Sequence, residues 1–213
     1  MKKALFYSAA ALLLGIVINP QHASAQKYQG QAVITGGAGY SVTGLLLGFI
    51  TDGVNATGTI SSTKTPVILG GVDYGLSDRF SLGAIYTYQG ITVKYNSYET
   101  TDANGNYVTV TGDFKDRLSR QSIGIRPLFH FGDNDNLDLY AGARFSYVFW
   151  NYNSPRTDVN VQDLFKYFGS PVKPQALFGM RYFVTDNIGL GTEFALGATY
   201  FISVGVHARF GGM

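Results

Sequence analysis

An all-β fold, an eight-stranded antiparallel up-and-down barrel that crosses a membrane, is predicted by three observations. Segment after segment alternates apolar with small or polar residues, most cleanly from Leu137 to Phe149 and from Ile202 to Phe210. That is the period of strands with two unlike faces. The connections between these segments alternate long and short, the asymmetry of a barrel with tight turns at one end and longer loops at the other. Charged residues make up 14% of the chain, against about 25% in ordinary soluble domains. After the N-terminal region no stretch is apolar enough for a membrane helix. In lipid only helices and closed barrels satisfy their own backbone groups.

The N-terminus is predicted to be a secretory signal peptide over residues 1–25, followed by one barrel domain over 26–213. Lys2 and Lys3 precede an apolar run from Ala4 to Ile18, and Ala23-Ser24-Ala25 is a small-x-small cleavage site. The run is shorter than the roughly 20 residues of a spanning helix. Cleavage removes two lysines and no acids, so the formal charge falls from +2 to zero. A neutral domain gives no argument for nucleic-acid binding. The chain has no cysteine, which excludes a lipid-anchored N-terminus and a disulfide framework.

The strands follow in order. Ala32 to Val42 is a glycine-rich first strand. Residues 43–65 are expected to be an external loop; its Leu45-Leu46-Leu47 and Phe49-Ile50 are unusually apolar, either a strand extension touching the outer leaflet or a contact patch. The second strand, about Pro66 to Leu76, is short-turned through Leu76-Ser77-Asp78-Arg79 into the third, Phe80 to about Tyr95. A second external loop is expected at 96–116, with Asn104-Gly105 as a two-residue hairpin turn. The fourth strand, about Leu118 to Phe131, contains Pro127, which gives no ladder hydrogen bond. The fifth runs from Leu137 to Trp150. The third external loop, 152–171, contains a possible short amphipathic helix, DVNVQDLFKYF. The sixth strand (about Lys173 to Phe183), the seventh (Ile188 to Gly197) and Ile202–Phe210 complete eight, so both termini lie on the periplasmic side.

A lipocalin is also an eight-stranded barrel, with its apolar face inward. Here the polar face is mostly Gly, Ser and Thr with isolated charges, which suits a narrow lumen better than a soluble exterior. The aromatics gather near strand ends: Tyr86, Tyr88, Tyr147 and Phe149 at one, Phe80, Phe129, Phe131, Tyr182 and Phe210 at the other. Such girdles sit at membrane interfaces. The turns GLSDRFSLG and FVTDNIGLG and the terminal strand SVGVHARF resemble the small outer-membrane β-barrel proteins of Gram-negative bacteria, similar to OmpX and the OmpA barrel domain, over most of residues 30–210. The resemblance implies outer-membrane lipid as surroundings and the barrel-assembly machinery as a partner in biogenesis. It also implies a C-terminal aromatic as assembly signal, a role for Phe210, although Gly211-Gly212-Met213 follow it.

Arg120, Arg126, Arg144, Arg181 and Arg209 fall on the lumen parity, as do Asp73, Asp138 and Glu193. Buried charges are tolerable only when paired. Arg144 and Glu193, both mid-strand, are the expected central pair, with Arg120 or Arg181 beside them. The lumen is expected to be closed by salt bridges, the alternative being a narrow anion-preferring pore. A lipid A-modifying enzyme is the remote alternative. Ser203, His207 and Glu193 share the lumen parity, but Ser203 and His207 stand roughly 13 Å apart at strand rise, beyond nucleophile–base contact. His130 has no serine one or two residues away on its strand. Asp102, Asn104, Asn106 and Asp113 echo a calcium loop, but Tyr107 occupies the required glycine position. Gly36-Gly37-Ala38-Gly39 precedes neither a lysine nor a helix and is not a phosphate loop. The expectation is a non-enzymatic, monomeric membrane protein, structural or surface-interacting. No cofactor or metal is expected, and the external loops are the expected place for any surface ligand.

Overall fold

The period-2 segments do become strands. The computed structural model describes residues 28–41, 56–102, 104–154, 170–197 and 200–211. Its strands are β1 (Ala32–Tyr40), β2 (Ala56–Lys64), β3 (Val67–Ser77), β4 (Phe80–Thr101), β5 (Tyr107–Asn134), β6 (Leu137–Asn153), β7 (Val172–Phe183), β8 (Ile188–Leu196) and β9 (Ile202–Phe210). All pairings are antiparallel, each strand against its neighbour in the ring. β1 closes the ring by pairing with both β3 and β9. The signal-peptide stretch, the Leu45–Ile50 patch and the DVNVQDLFKYF segment lie outside the described residues.

Nine segments fill eight barrel positions, because β2 and β3 share one. Both pair with β4: Ser62 faces Val93 in β2, and Ile68 faces Tyr88 in β3. The break falls at Thr65-Pro66. Pro66 has no N–H to give, and Thr65 folds onto Gly90 instead. Its amide donates to the Gly90 carbonyl (3.0 Å), and the Gly90 amide donates to its hydroxyl (2.8 Å). The fold is therefore a closed eight-stranded antiparallel β-barrel. Part of the expected loop at 43–65 is corrected: residues 56–64 are strand. Threonines and serines dominate it, so no apolar alternation marks it in the sequence.

The loop expected at 96–116 is corrected too. β4 and β5 continue as a paired ribbon to Thr101 and Tyr107, leaving only 102–106 as the connection. It is wider than a two-residue turn. Asp102 organises it: its Oδ1 accepts from the amides of Asn104 (2.8 Å) and Asn106 (2.9 Å), and Gly105 takes φ of 86°, a left-handed value glycine adopts freely. With β2 and β6, this ribbon makes a four-stranded flange that rises beyond the ends of the nine-residue strands β1, β8 and β9. Pro127 is accommodated where the β5–β6 ladder lapses, between Ile125–Phe145 and Leu128–Gly142.

Around the barrel, Ile34, Val72, Leu82, Ile123, Ile125, Phe145, Leu190 and Val206 point outward and are exposed. Inward, Val67, Leu69, Ile85, Leu128, Tyr140, Leu177, Ala195 and Tyr200 form an apolar cluster. The remaining interior is polar. Lumen glycines make room for the large groups: a Cβ on Gly83 would strike the Asp73 carboxylate, and one on Gly179 the Tyr140 ring.

Candidate functional site: the filled lumen

The alternation that turns apolar side chains outward forces polar ones into a space about eight strands wide, where each charge needs a partner. Asp73 on β3 is the hub. Arg126 on β5 grips it with two parallel bonds, Nε to Oδ1 and Nη2 to Oδ2, both 2.6 Å. Arg181 on β7 donates from Nη2 to the same Oδ2 at 2.5 Å. Arg181 continues to Asp138 (3.3 Å) and Arg126 to Glu193 (3.2 Å). Glu193 also accepts from the hydroxyls of Tyr140 (3.0 Å) and Tyr200, and Arg144 lies 3.6 Å from it. Three guanidiniums thus face three carboxylates, and this hub carries no net charge.

The expected pair of Arg144 and Glu193 does meet, at 3.6 Å, and Arg126 is the nearer cation to Glu193, at 3.2 Å. The short bonds of Arg144 go to the Tyr200 hydroxyl (2.6 Å) and to Gln175 Oε1 (2.7 Å), and its guanidinium stacks on the Tyr200 ring. Arg120 lies one layer nearer the loop end, donating to Gln89 Oε1 (3.0 Å) and Ser41 Oγ (3.2 Å) beneath Trp150. Arg209 is at the turn-end mouth, as its place in the strand implies, but it does not join the network. It stacks on Phe183 and donates to the backbone carbonyls of Asp186 and Asp135. Phe210 ends β9 opposite Ala32, with its ring outward.

Two participants escaped the sequence reading. Tyr200 comes from the β8–β9 connection and Tyr28 from the chain before β1, so neither has a strand parity to read. The Tyr28 ring is buried and stacks on His130 at 4.0 Å. His130 itself links two strands: Ser81 Oγ on β4 is 2.8 Å from its Nε2, and Asp138 Oδ1 on β6 is 2.8 Å from its Nδ1. A serine is therefore in contact with His130 across the ladder, though none is near it along its own strand.

Ser81, His130 and Asp138 have the contact order of a nucleophile, base and orienting acid. The surroundings do not complete that chemistry. Ser81 is 1% exposed, Tyr28 covers the imidazole, and Asp138 is shared with Arg181. An acyl transfer needs space for a carbonyl beside the hydroxyl and donors aimed at its oxygen. The other considered serine relay is absent: His207 Nδ1 meets Thr35 Oγ1 at 2.9 Å. Ser203 faces Glu193 in the β8–β9 ladder.

Packing leaves little open space at the hub. Beside Glu193, His207 and Tyr140 only about 10 Å³ is left, space for a single water at most. A wider cavity of about 410 Å³ lies at the loop-end mouth, lined by Tyr40, Ser41, Lys64, Thr65, Pro66 and Gln89 among others. Among the described residues no group of histidines and carboxylates is arranged to hold a metal.

No family model matches the chain, and no curated protein matches it in sequence. Among solved structures it is similar to the outer-membrane protein OprG of Pseudomonas aeruginosa, at 9% identity and a TM-score of 0.48, over 90% of this chain and 100% of that one. A de novo designed transmembrane β-barrel shows 15% identity and a TM-score of 0.47, over 85% and 97%. The outer-membrane protein Ail of Yersinia pestis shows 13% identity and a TM-score of 0.41, over 85% and 100%. The likeness is one of architecture.

Proposed function

We propose that this chain is an integral outer-membrane β-barrel with a closed lumen and a structural or surface-interacting, non-enzymatic role. One observation carries the reading: the barrel is inside out relative to a soluble one. Large apolar side chains such as Ile125, Phe145, Leu190 and Val206 cover the exterior, while Asp73, Arg126, Arg144, Arg181 and Glu193 are buried within. In water that exterior would be a continuous apolar patch far beyond what soluble monomers expose; in lipid it is the required surface. Both termini then face the periplasm, and the flange stands outside with the β4–β5 hairpin at its tip. Lipid is the surrounding partner, the barrel-assembly machinery reads the end of β9 during biogenesis, and the barrel works as a monomer.

Fractionation combined with gel migration tests this. The protein is expected in the outer-membrane fraction and to migrate faster unheated than boiled, with strand content retained in detergent. Recovery as a soluble protein without detergent would overturn it.

A further inference from the structure

The flange carries a feature that the barrel does not need. On its outward face Lys94 of β4 sits directly opposite Lys115 of β5, and Arg117 faces Thr92 one step nearer the barrel. All three side chains are exposed. Like charges placed opposite each other destabilise a ladder. Nothing offsets this: among the described residues none of the three makes an ion pair or a hydrogen bond. Their cross-strand neighbours Ser61 on β2 and Asn153 on β6 are uncharged. Asp113, two residues beyond Lys115, is exposed and bonds to none of them. Asp116 belongs to the opposite face, where it is buried.

The level of the patch is set by the strands. On the same face, Tyr86 donates to Gln121 at 2.8 Å, at the rim of the apolar belt beside Tyr88, Tyr147 and Phe149. Arg117 is four residues beyond Gln121, about 13 Å along the strand at strand rise. A strand tilt of about 45° lowers that to about 9 Å of height, just above the roughly 5–8 Å headgroup layer that flanks the hydrocarbon, and long Arg and Lys side chains reach back to that layer. Lys94 and Lys115 stand one step higher.

We propose that Lys94, Lys115 and Arg117 form a binding site for phosphate groups on the headgroups of the lipid leaflet that surrounds this end of the barrel. A phosphate seated between the two lysines converts their repulsion into two charge-assisted contacts. Arg117 supplies a planar fork to the same or a neighbouring phosphate. The inference rests on the membrane-spanning reading above.

The test uses the full-length folded protein in neutral detergent and measures retention of bisphosphorylated lipid A. It compares wild type with the variant carrying Lys94→Gln, Lys115→Gln and Arg117→Gln. Wild type is expected to retain the lipid at least about tenfold better, with the difference shrinking as salt rises. Dephosphorylated lipid A is expected to be retained equally by both. Millimolar inorganic phosphate is expected to displace little, since a free ion lacks the anchoring chains; full displacement would overturn the assignment to lipid. Lys94→Glu gives a second reading: it creates a cross-strand pair with Lys115 and is expected to weaken retention while leaving the flange at least as resistant to protease. Equal retention by wild type and the triple variant, both confirmed folded by heat-modifiable migration, overturns the site alone. Failure of the wild type to fold and insert in lipid overturns the membrane reading, and this site with it.

Discussion

Two buried aspartates divide the molecule. Asp73, 2% exposed in the lower barrel, is neutralised by two guanidiniums. Asp116, 4% exposed in the flange, is held by hydroxyls alone: Ser154 at 2.6 Å, Tyr152 at 2.7 Å and Tyr95 at 3.2 Å. Burial and the neighbouring Asp116 push the Tyr152 hydroxyl up, so it stays protonated and remains a donor. The difference follows from what lies beyond each site. At the hub the packed lumen leaves space for a single water at most, and a charge there needs a countercharge. In the flange, water at the sheet edges solvates part of the field, and neutral donors suffice. The barrel is locked by charge, the flange by ordinary hydrogen bonds around one carboxylate.

Removing a cation from the hub should therefore have the largest effect. Arg126→Ala leaves Asp73 and Glu193 short of a partner and is expected to destabilise the barrel by about 3–5 kcal/mol. Denaturant titration followed by Trp150, the single tryptophan, measures this. Pairing it with Asp73→Asn should recover much of the loss, and no recovery would mean that the two side chains are not coupled. Next comes Ser81→Ala, which strands a buried imidazole nitrogen at a cost of about 1–3 kcal/mol. The same serine should stay unlabelled by a fluorophosphonate in the folded protein, and labelling would revive the enzyme reading. Asp116→Asn weakens three hydrogen bonds to a charge. It should speed amide exchange in residues 107–118 several-fold while the denaturation midpoint of the barrel hardly moves; a matching loss in the barrel would erase the contrast.

The smallest effect lies at the hairpin tip. The amides of Asn106 and Asn104 hold the Asp102 carboxyl below its usual range. A depressed carboxyl adds order that is fully present above its unfolded pKa and is lost as pH falls through the folded value. The protection of the Asn104 and Asn106 amides, with exchange rates corrected for their intrinsic pH dependence, is therefore expected to be constant at neutral pH and to fall only below the ordinary carboxylate range.

Side-chain parity was legible wherever the sequence alternates, because a period of two then assigns each strand residue to a face. It placed Asp73, Arg126, Arg144, Arg181 and Glu193 inside. Which of them touch was legible only in part: Arg144 does reach Glu193. Partners across a lumen depend on the stagger between strands that are not neighbours in sequence, and that stagger brought Arg126 rather than Arg144 closest to Glu193. The Ser81–His130 contact needed the β4–β5 register, in which Ser81 pairs with Leu128, two residues from His130. Tyr28 and Tyr200 act from outside the strands. β2 was hidden because its residues from Thr59 to Lys64 are exposed on both faces and mostly polar, so selection for alternation is absent above the apolar belt.

Single-channel recording in a planar bilayer tests the central claim, that the lumen is filled and closed, most directly. Purified folded protein is expected to insert without steady openings, while Arg126→Ala should admit brief ones through the disrupted hub. Stable, anion-selective openings of the wild type would contradict the closed lumen.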